Sequence, residues 1–155
     1  MPPQPLPQLT KAPQAFEIAG RISVREGQRS DIAKLRWTRR HGGYDEWVIS
    51  SPVGNEVARI DSGPGGATLM VAGADSALTT SFAAVTEKFL GVALDPDVLA
   101  GWIHGHPTDD APGDWKVTID EKQRAGALDI ARRITASRGD AQVRIVIDEY
   151  RSLEE

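Results

Sequence analysis

The sequence predicts a mainly β fold of the α+β class, in which a meandering antiparallel sheet curls around helices. Three observations lead there. Apolar and polar residues alternate in one segment after another from Phe16 onward. The period turns helical only between about Phe82 and Ile103. Strand patterns then return, and the absence of strand–helix alternation argues against a parallel sheet.

The elements follow in order. Phe16, Ile18, Gly20, Ile22 and Val24 alternate with Glu17, Ala19, Arg21, Ser23 and Arg25, which is the pattern of a half-buried strand. Gly27-Gln28 turns the chain, and Ala33, Leu35 and Trp37 share one face of a second strand. After His41-Gly42-Gly43, a third strand runs from about Tyr44 to Ser50 with Trp47 and Ile49 apolar. Ser51-Pro52-Val53-Gly54-Asn55 reverses the chain, since proline fixes φ and glycine accepts a positive one. Val57 to Ile60 and Ala67 to Ala72 are the next strands, joined at Gly63-Pro64-Gly65-Gly66; the stretch from Ala72 to Thr80 shows no pattern.

Phe82, Val85 and Phe89, with Leu90 beside them, then define an amphipathic helix between a Ser/Thr start and Gly91. Asp95-Pro96-Asp97 opens a second helix, with Asp95 as cap and Pro96 in the first turn. Its apolar residues are Val98, Leu99, Trp102 and Ile103, and Gly105 ends it. Trp115, Val117 and Ile119 resume the strand pattern. A segment from Leu128 to Ile134 and another through Val143, Ile145 and Ile147 to Tyr150 complete it, with Arg138-Gly139-Asp140 as the turn between them.

Composition narrows the function. A net charge of −4 over 155 residues, without a polybasic run, argues against a nucleic-acid partner, which needs a basic face. The absence of cysteine removes disulfides, thiolate metal sites and cysteine nucleophiles. No apolar run approaches the roughly 18 residues of a membrane-spanning helix. The opening is rich in proline at Pro2, Pro3, Pro5, Pro7 and Pro13, and residues 1–15 read as an extended tether ahead of a domain at 16–151. A tether attached to nothing suggests that Met1 stands in for an export segment.

Four features bear on chemistry. His104, His106, Asp109 and Asp110 are metal-ligand types close together, but a solvated loop leaving a helix C-terminus explains them better. Gly63-Pro64-Gly65-Gly66 precedes a strand and lacks a lysine, so it is a hairpin turn and not a phosphate cradle. No Gly-x-Ser-x-Gly elbow accompanies the three histidines, and the chain is read as a non-enzyme without cofactor or metal. Trp37, Trp47, Trp102 and Trp115 ordinarily mean core. Yet a sheet curled around two short helices has more inward surface than they fill, and a remaining apolar cavity suits a lipid.

An ordered set of segments resembles the LolB family of outer-membrane lipoprotein receptors. Phe16-Glu17-Ile18-Ala19-Gly20-Arg21-Ile22-Ser23-Val24-Arg25 with Lys34-Leu35-Arg36-Trp37 is similar to its opening hairpin. Trp47-Val48-Ile49-Ser50-Ser51-Pro52-Val53-Gly54 resembles its strand and protruding loop, and Pro64-Gly65-Gly66-Ala67-Thr68-Leu69 its next hairpin. Phe89-Leu90-Gly91 to Asp95, Leu99-Ala100-Gly101-Trp102 to Pro107, Asp114-Trp115-Lys116-Val117 and Val143 to Tyr150 continue the series.

The resemblance implies a half-closed antiparallel β-barrel with two or three helices covering the open side. It also implies a function: receiving acylated lipoproteins from the periplasmic carrier LolA and inserting them into the outer membrane, at whose periplasmic face the full-length form is lipid-anchored. The chain as given, lacking the anchoring cysteine, is expected to be soluble and monomeric. Residues assigned to the acyl-chain cavity are Ile22, Val24, Leu35, Trp37, Trp47, Ile49, Phe82, Val85, Phe89, Trp102, Ile103, Trp115 and Ile145. Pro52, Val53 and Gly54 match the membrane-insertion loop, with Val53 where the family usually has leucine. A lipid carrier or sensor of the same fold without insertion activity is the second reading, and an envelope interaction module the third.

Overall fold

A computed structural model describes residues 15–73, 78–105, 115–126 and 128–153. These form strands β1 (Phe16–Glu26), β2 (Arg29–Arg40), β3 (Tyr44–Ser50), β4 (Glu56–Gly63), β5 (Gly66–Val71) and β6 (Leu78–Thr80). Helices α1 (Phe82–Leu90) and α2 (Pro96–Ile103) follow, and then strands β7 (Lys116–Ala125), β8 (Leu128–Arg138) and β9 (Ala141–Ser152).

All nine strands join one sheet in the order β6-β5-β4-β3-β2-β1-β9-β8-β7. Each neighbouring pair is antiparallel. Two meanders thus meet where β9 pairs with β1. The edges β6 and β7 are not paired with each other, and the helices follow one edge and precede the other in the chain. This is the expected half-closed barrel.

Alternation builds the inner face. Phe16, Ile18, Ile22 and Val24 of β1 are buried, as are Leu35 and Trp37 of β2, and Trp47 and Ile49 of β3. Register aligns them: Tyr150, Ile18, Trp37, Trp47, Ile60 and Leu69 are successive cross-strand partners along one row. Directly opposed side chains of this kind are the unit of sheet stability.

Each helix starts and stops where local chemistry directs. In α1 the Ser81 Oγ accepts from Ala84 N at 3.1 Å, and Gly91, at φ 91°, donates its N–H to Glu87 O. In α2 the Asp95 carboxylate accepts from Asp97 N at 2.8 Å, and Pro96 occupies the first turn. Helix α1 lies against β4, β5 and β6, while α2 lies against β8. Buried Thr86 joins the helix to the following linker: its hydroxyl accepts from Leu94 N at 2.8 Å and donates to Ala83 O.

The strands depart from expectation in extent, and β8 runs past Ile134 to Arg138. Strand β6 lies in the stretch that showed no pattern, because three residues are too few for a period to register. Strand β7 runs on to Ala125 through Asp120-Glu121-Lys122-Gln123-Arg124, an edge segment broken by register shifts at Ile119/Glu121 and Glu121/Lys122. The tether residues 1–14 lie outside the described residues.

The β1–β9 seam carries a bulge between Ala19 and Gly20, where Ala19 pairs with Glu149 and Gly20 with Ile147. A Cβ on Gly20 would stand 1.9 Å from the Val146 carbonyl oxygen. Glycine in a strand interior here marks close backbone approach. Gly20→Ala is expected to destabilise the fold by at least about 2 kcal/mol, since backbone has to move. Urea unfolding checks this, and a negligible shift would show that β9 yields freely.

Candidate functional site

The inner face and the two helices enclose a single apolar cluster. Ile22, Val24, Leu35, Trp37, Trp47, Ile49, Phe82, Val85, Trp102, Ile103, Trp115 and Ile145 all belong to it and all are buried. The side chain of Phe89 lies outside the described part of the structure. The cluster also takes in Phe16, Ile60, Leu69 and Leu99, which sequence reasoning did not assign to the site although their alternation or helical spacing signalled it.

An aromatic file runs through this cluster. Phe16 meets Trp37 edge-on at 5.1 Å, Trp37 meets Trp47 at 5.6 Å, and Trp47 meets Phe82 of α1 at 5.0 Å. At the other end Phe16 touches the rings of His104 and Tyr150. Trp102 meets Trp115 separately at 6.2 Å, with the Arg138 guanidinium 4.5 Å over the Trp115 ring. Edge-to-face pairs of this kind add to the area they bury.

Polar groups secure α2. The Trp37 indole N–H donates to Asp45 at 2.8 Å, inside the core. Arg39 approaches the same carboxylate at 3.8 Å, donates to the Pro96 carbonyl at 3.0 Å and pairs with Asp97. One guanidinium therefore links β3 to the start of the helix. Burial pushes the Asp45 carboxyl above its ordinary value, as do Asp97 and Asp95, against the lowering influence of Trp37 and Arg39. Sequence reasoning missed Asp45, although it stands at an inward position of the alternation Asp45, Trp47, Ile49.

His104 corrects the expectation of a solvated loop. It caps α2 but is only 6% exposed. Its Nδ1–H donates to Ala100 O at 2.8 Å, because a carbonyl can only accept, and Nε2 is hydrogen-bonded to the Tyr150 hydroxyl at 2.6 Å. His106, Asp109 and Asp110 lie outside the described residues.

The loop between β3 and β4 is firmly built. Gly54 N donates to Ser51 O at 2.8 Å, Ser51 N to Asn55 O at 2.8 Å, and Asn55 N to the Ser51 hydroxyl at 3.3 Å. Gly54 takes φ 100°, and Pro52 is exposed. Val53 is left 83% exposed at the tip. On the outer face of the sheet, an open hollow of about 810 Å³ is lined by Glu17, Arg21, Lys34, Arg36, Glu46 and Arg59 among others. Its mixed charges do not suit an acyl chain.

A family model described as outer membrane lipoprotein LolB matches residues 14–150. The chain belongs to the LolB family. Among its relatives, the outer-membrane lipoprotein LolB of Azoarcus sp. is 27% identical, the match covering 90% of this chain and 79% of that protein. The Thiobacillus denitrificans protein of the same name is 30% identical over 89% of this chain and 81% of its own length. A Pseudomonas putida LolB is 32% identical over 74% of this chain and 54% of its own length.

Solved structures resemble this LolB family chain in fold. A DUF1329 family protein from Desulfovibrio piger has a TM-score of 0.64 at 10% identity, covering 94% of this chain and 88% of its own. A LolA superfamily protein from Nitrosomonas europaea has a TM-score of 0.51 at 8% identity, covering 94% and 90%.

The Asp45 shift has a definite consequence for stability. A carboxyl whose pKa is raised by folding holds its proton more tightly in the fold. Its contribution is fully present below about pH 3.8 and is lost as pH rises through the raised value. Asp45→Asn keeps an acceptor for Trp37 but cannot ionise. Urea unfolding from about pH 3 to about pH 7 is expected to show the wild type losing stability relative to this variant as pH rises. At acid pH, Asp45→Ala is expected to cost about 1–3 kcal/mol, because the Trp37 donor loses its acceptor.

Proposed function

We propose that this chain receives acylated lipoproteins from the soluble carrier LolA into the apolar space between sheet and helices, and inserts them into the outer membrane. The observation that carries this reading is an open sheet whose apolar inner face is covered by two short helices. Burying an acyl chain is worth about 0.8 kcal/mol per CH₂, so the chain needs a host outside the bilayer. The cluster residues already touch one another, so acyl chains enter by parting the helices from the sheet. The work of parting them weakens net binding, which suits a protein that must also release its cargo.

Val53 is the delivery element in this reading. Pro52 and Gly54 set the turn that presents it, and a bilayer supplies the apolar partner that an exposed valine lacks. Residues 1–15 serve as the tether and residues 16–151 as the lipid-binding domain, acting as a monomer at the periplasmic face of the outer membrane.

Transfer tests the proposal. LolA loaded with a radiolabelled triacylated lipoprotein is mixed with the purified chain, and label is expected to move to the chain. Label remaining on LolA beside a folded acceptor overturns the reading. Val53→Glu is expected to leave folding and uptake intact while slowing delivery into phospholipid vesicles at least about fivefold, because a charge replaces the apolar contact. Delivery unaffected by that substitution refutes the assignment of Val53, whereas uptake without any delivery favours a lipid carrier of the same fold without insertion activity.

A further inference from the structure

Trp37 and Trp47 are cross-strand partners, with different fates for their indole nitrogens. Trp37 Nε1 donates to Asp45 at 2.8 Å. Trp47 is wholly buried, and its Nε1 meets no acceptor; among the described residues it is the one buried side-chain nitrogen or oxygen so placed. Its ring sits between Trp37 at 5.6 Å and Phe82 at 5.0 Å, within the apolar cluster. A buried donor without a partner forfeits the hydrogen bond that water would give it.

An unpaired donor in a space that receives hydrocarbon asks for an acceptor that arrives with the hydrocarbon. An acyl ester brings one, because its carbonyl accepts and has no proton to place elsewhere. A free carboxylate would demand a counter-charge as well, and Arg39 is already engaged with Asp45 and Asp97. We propose that the Trp47 indole N–H is the hydrogen-bond donor to an acyl-ester carbonyl of the bound lipid. The inference rests on the apolar-cavity reading above and deepens it. Burial of hydrocarbon supplies affinity, and the single donor fixes how deep the ester lies and separates an ester from an ether.

The test pairs a substitution with a ligand that lacks the acceptor. The probes are a diacyl-thioglyceryl cysteine peptide and its dialkyl-ether counterpart, with a dipalmitoyl phospholipid as a second ester source and its ether analogue. Trp47→Phe is expected to weaken binding of the ester peptide about three- to tenfold, the range of one net hydrogen bond. The ether peptide reports what the change of ring costs by itself, so the ester-to-ether affinity ratio is expected to fall by that factor, and circular dichroism checks that the variant is folded. In the wild-type chain, the Trp47 indole proton resonance is expected to move downfield with the ester and not with the ether.

An ester-to-ether affinity ratio that is the same in wild type and Trp47→Phe overturns the donor and leaves the cavity standing. A wild-type chain that binds neither peptide nor phospholipid overturns the cavity reading, and the donor falls with it. A Trp47-dependent ester preference seen with the phospholipid but not the peptide supports the donor and assigns it to a phospholipid.

Discussion

Among the described residues, the inner face of the sheet is kept dry by two helices, of nine and eight residues. A closed barrel hides its inner face by geometry alone, but here β6 and β7 are not paired with each other. Helices this short have little stability of their own in water and depend on caps and on packing. The same contacts therefore hold the helices in place and shield Trp47, Ile49 and Ile60 from solvent. Whatever separates the layers acts on both at once.

The two helices are held by different means. α2 is tied to β2 and β3 by the Arg39–Asp45–Asp97 group, and to β9 by His104 and Tyr150. α1 brings Phe82, Val85 and Leu90 into the cluster, while Thr86 links it to its own linker. Charge-assisted ties are directional, whereas apolar packing is not. An apolar guest can replace the contacts of Phe82 and Val85 with its own, but it offers nothing to Arg39.

The sequence was legible where period and capping decide structure. Alternation placed β1 to β5, a Ser/Thr start and Gly91 bounded α1, and Asp95 and Pro96 marked the start of α2. It was silent where the deciding partner is distant or the element is too short. Asp45 looks like an error within an apolar row until the indole N–H of Trp37, eight residues earlier, is found donating to it. His104 looks solvated until Tyr150, forty-six residues on, closes over it. Burial was readable from parity for the strand residues Ile22, Val24, Leu35, Trp37, Trp47, Ile49 and Ile145, and from helical spacing for Phe82, Val85, Trp102 and Ile103. Which indole lacks a partner was not, because that depends on where single atoms point.

An open sheet leaves two rows of backbone groups available to another strand, and exposed rows of this kind invite sheet-to-sheet growth. One edge here is only three residues long. The other carries two register shifts between Ile119 and Lys122, in a stretch that holds Asp120, Glu121, Lys122 and Arg124. A second chain laid along β7 would lose register at the shifts and meet charge on both sides of them. The irregular stretch beyond Ile119, which the strand pattern of Val117 and Ile119 did not reach, thus works against templated growth along this edge.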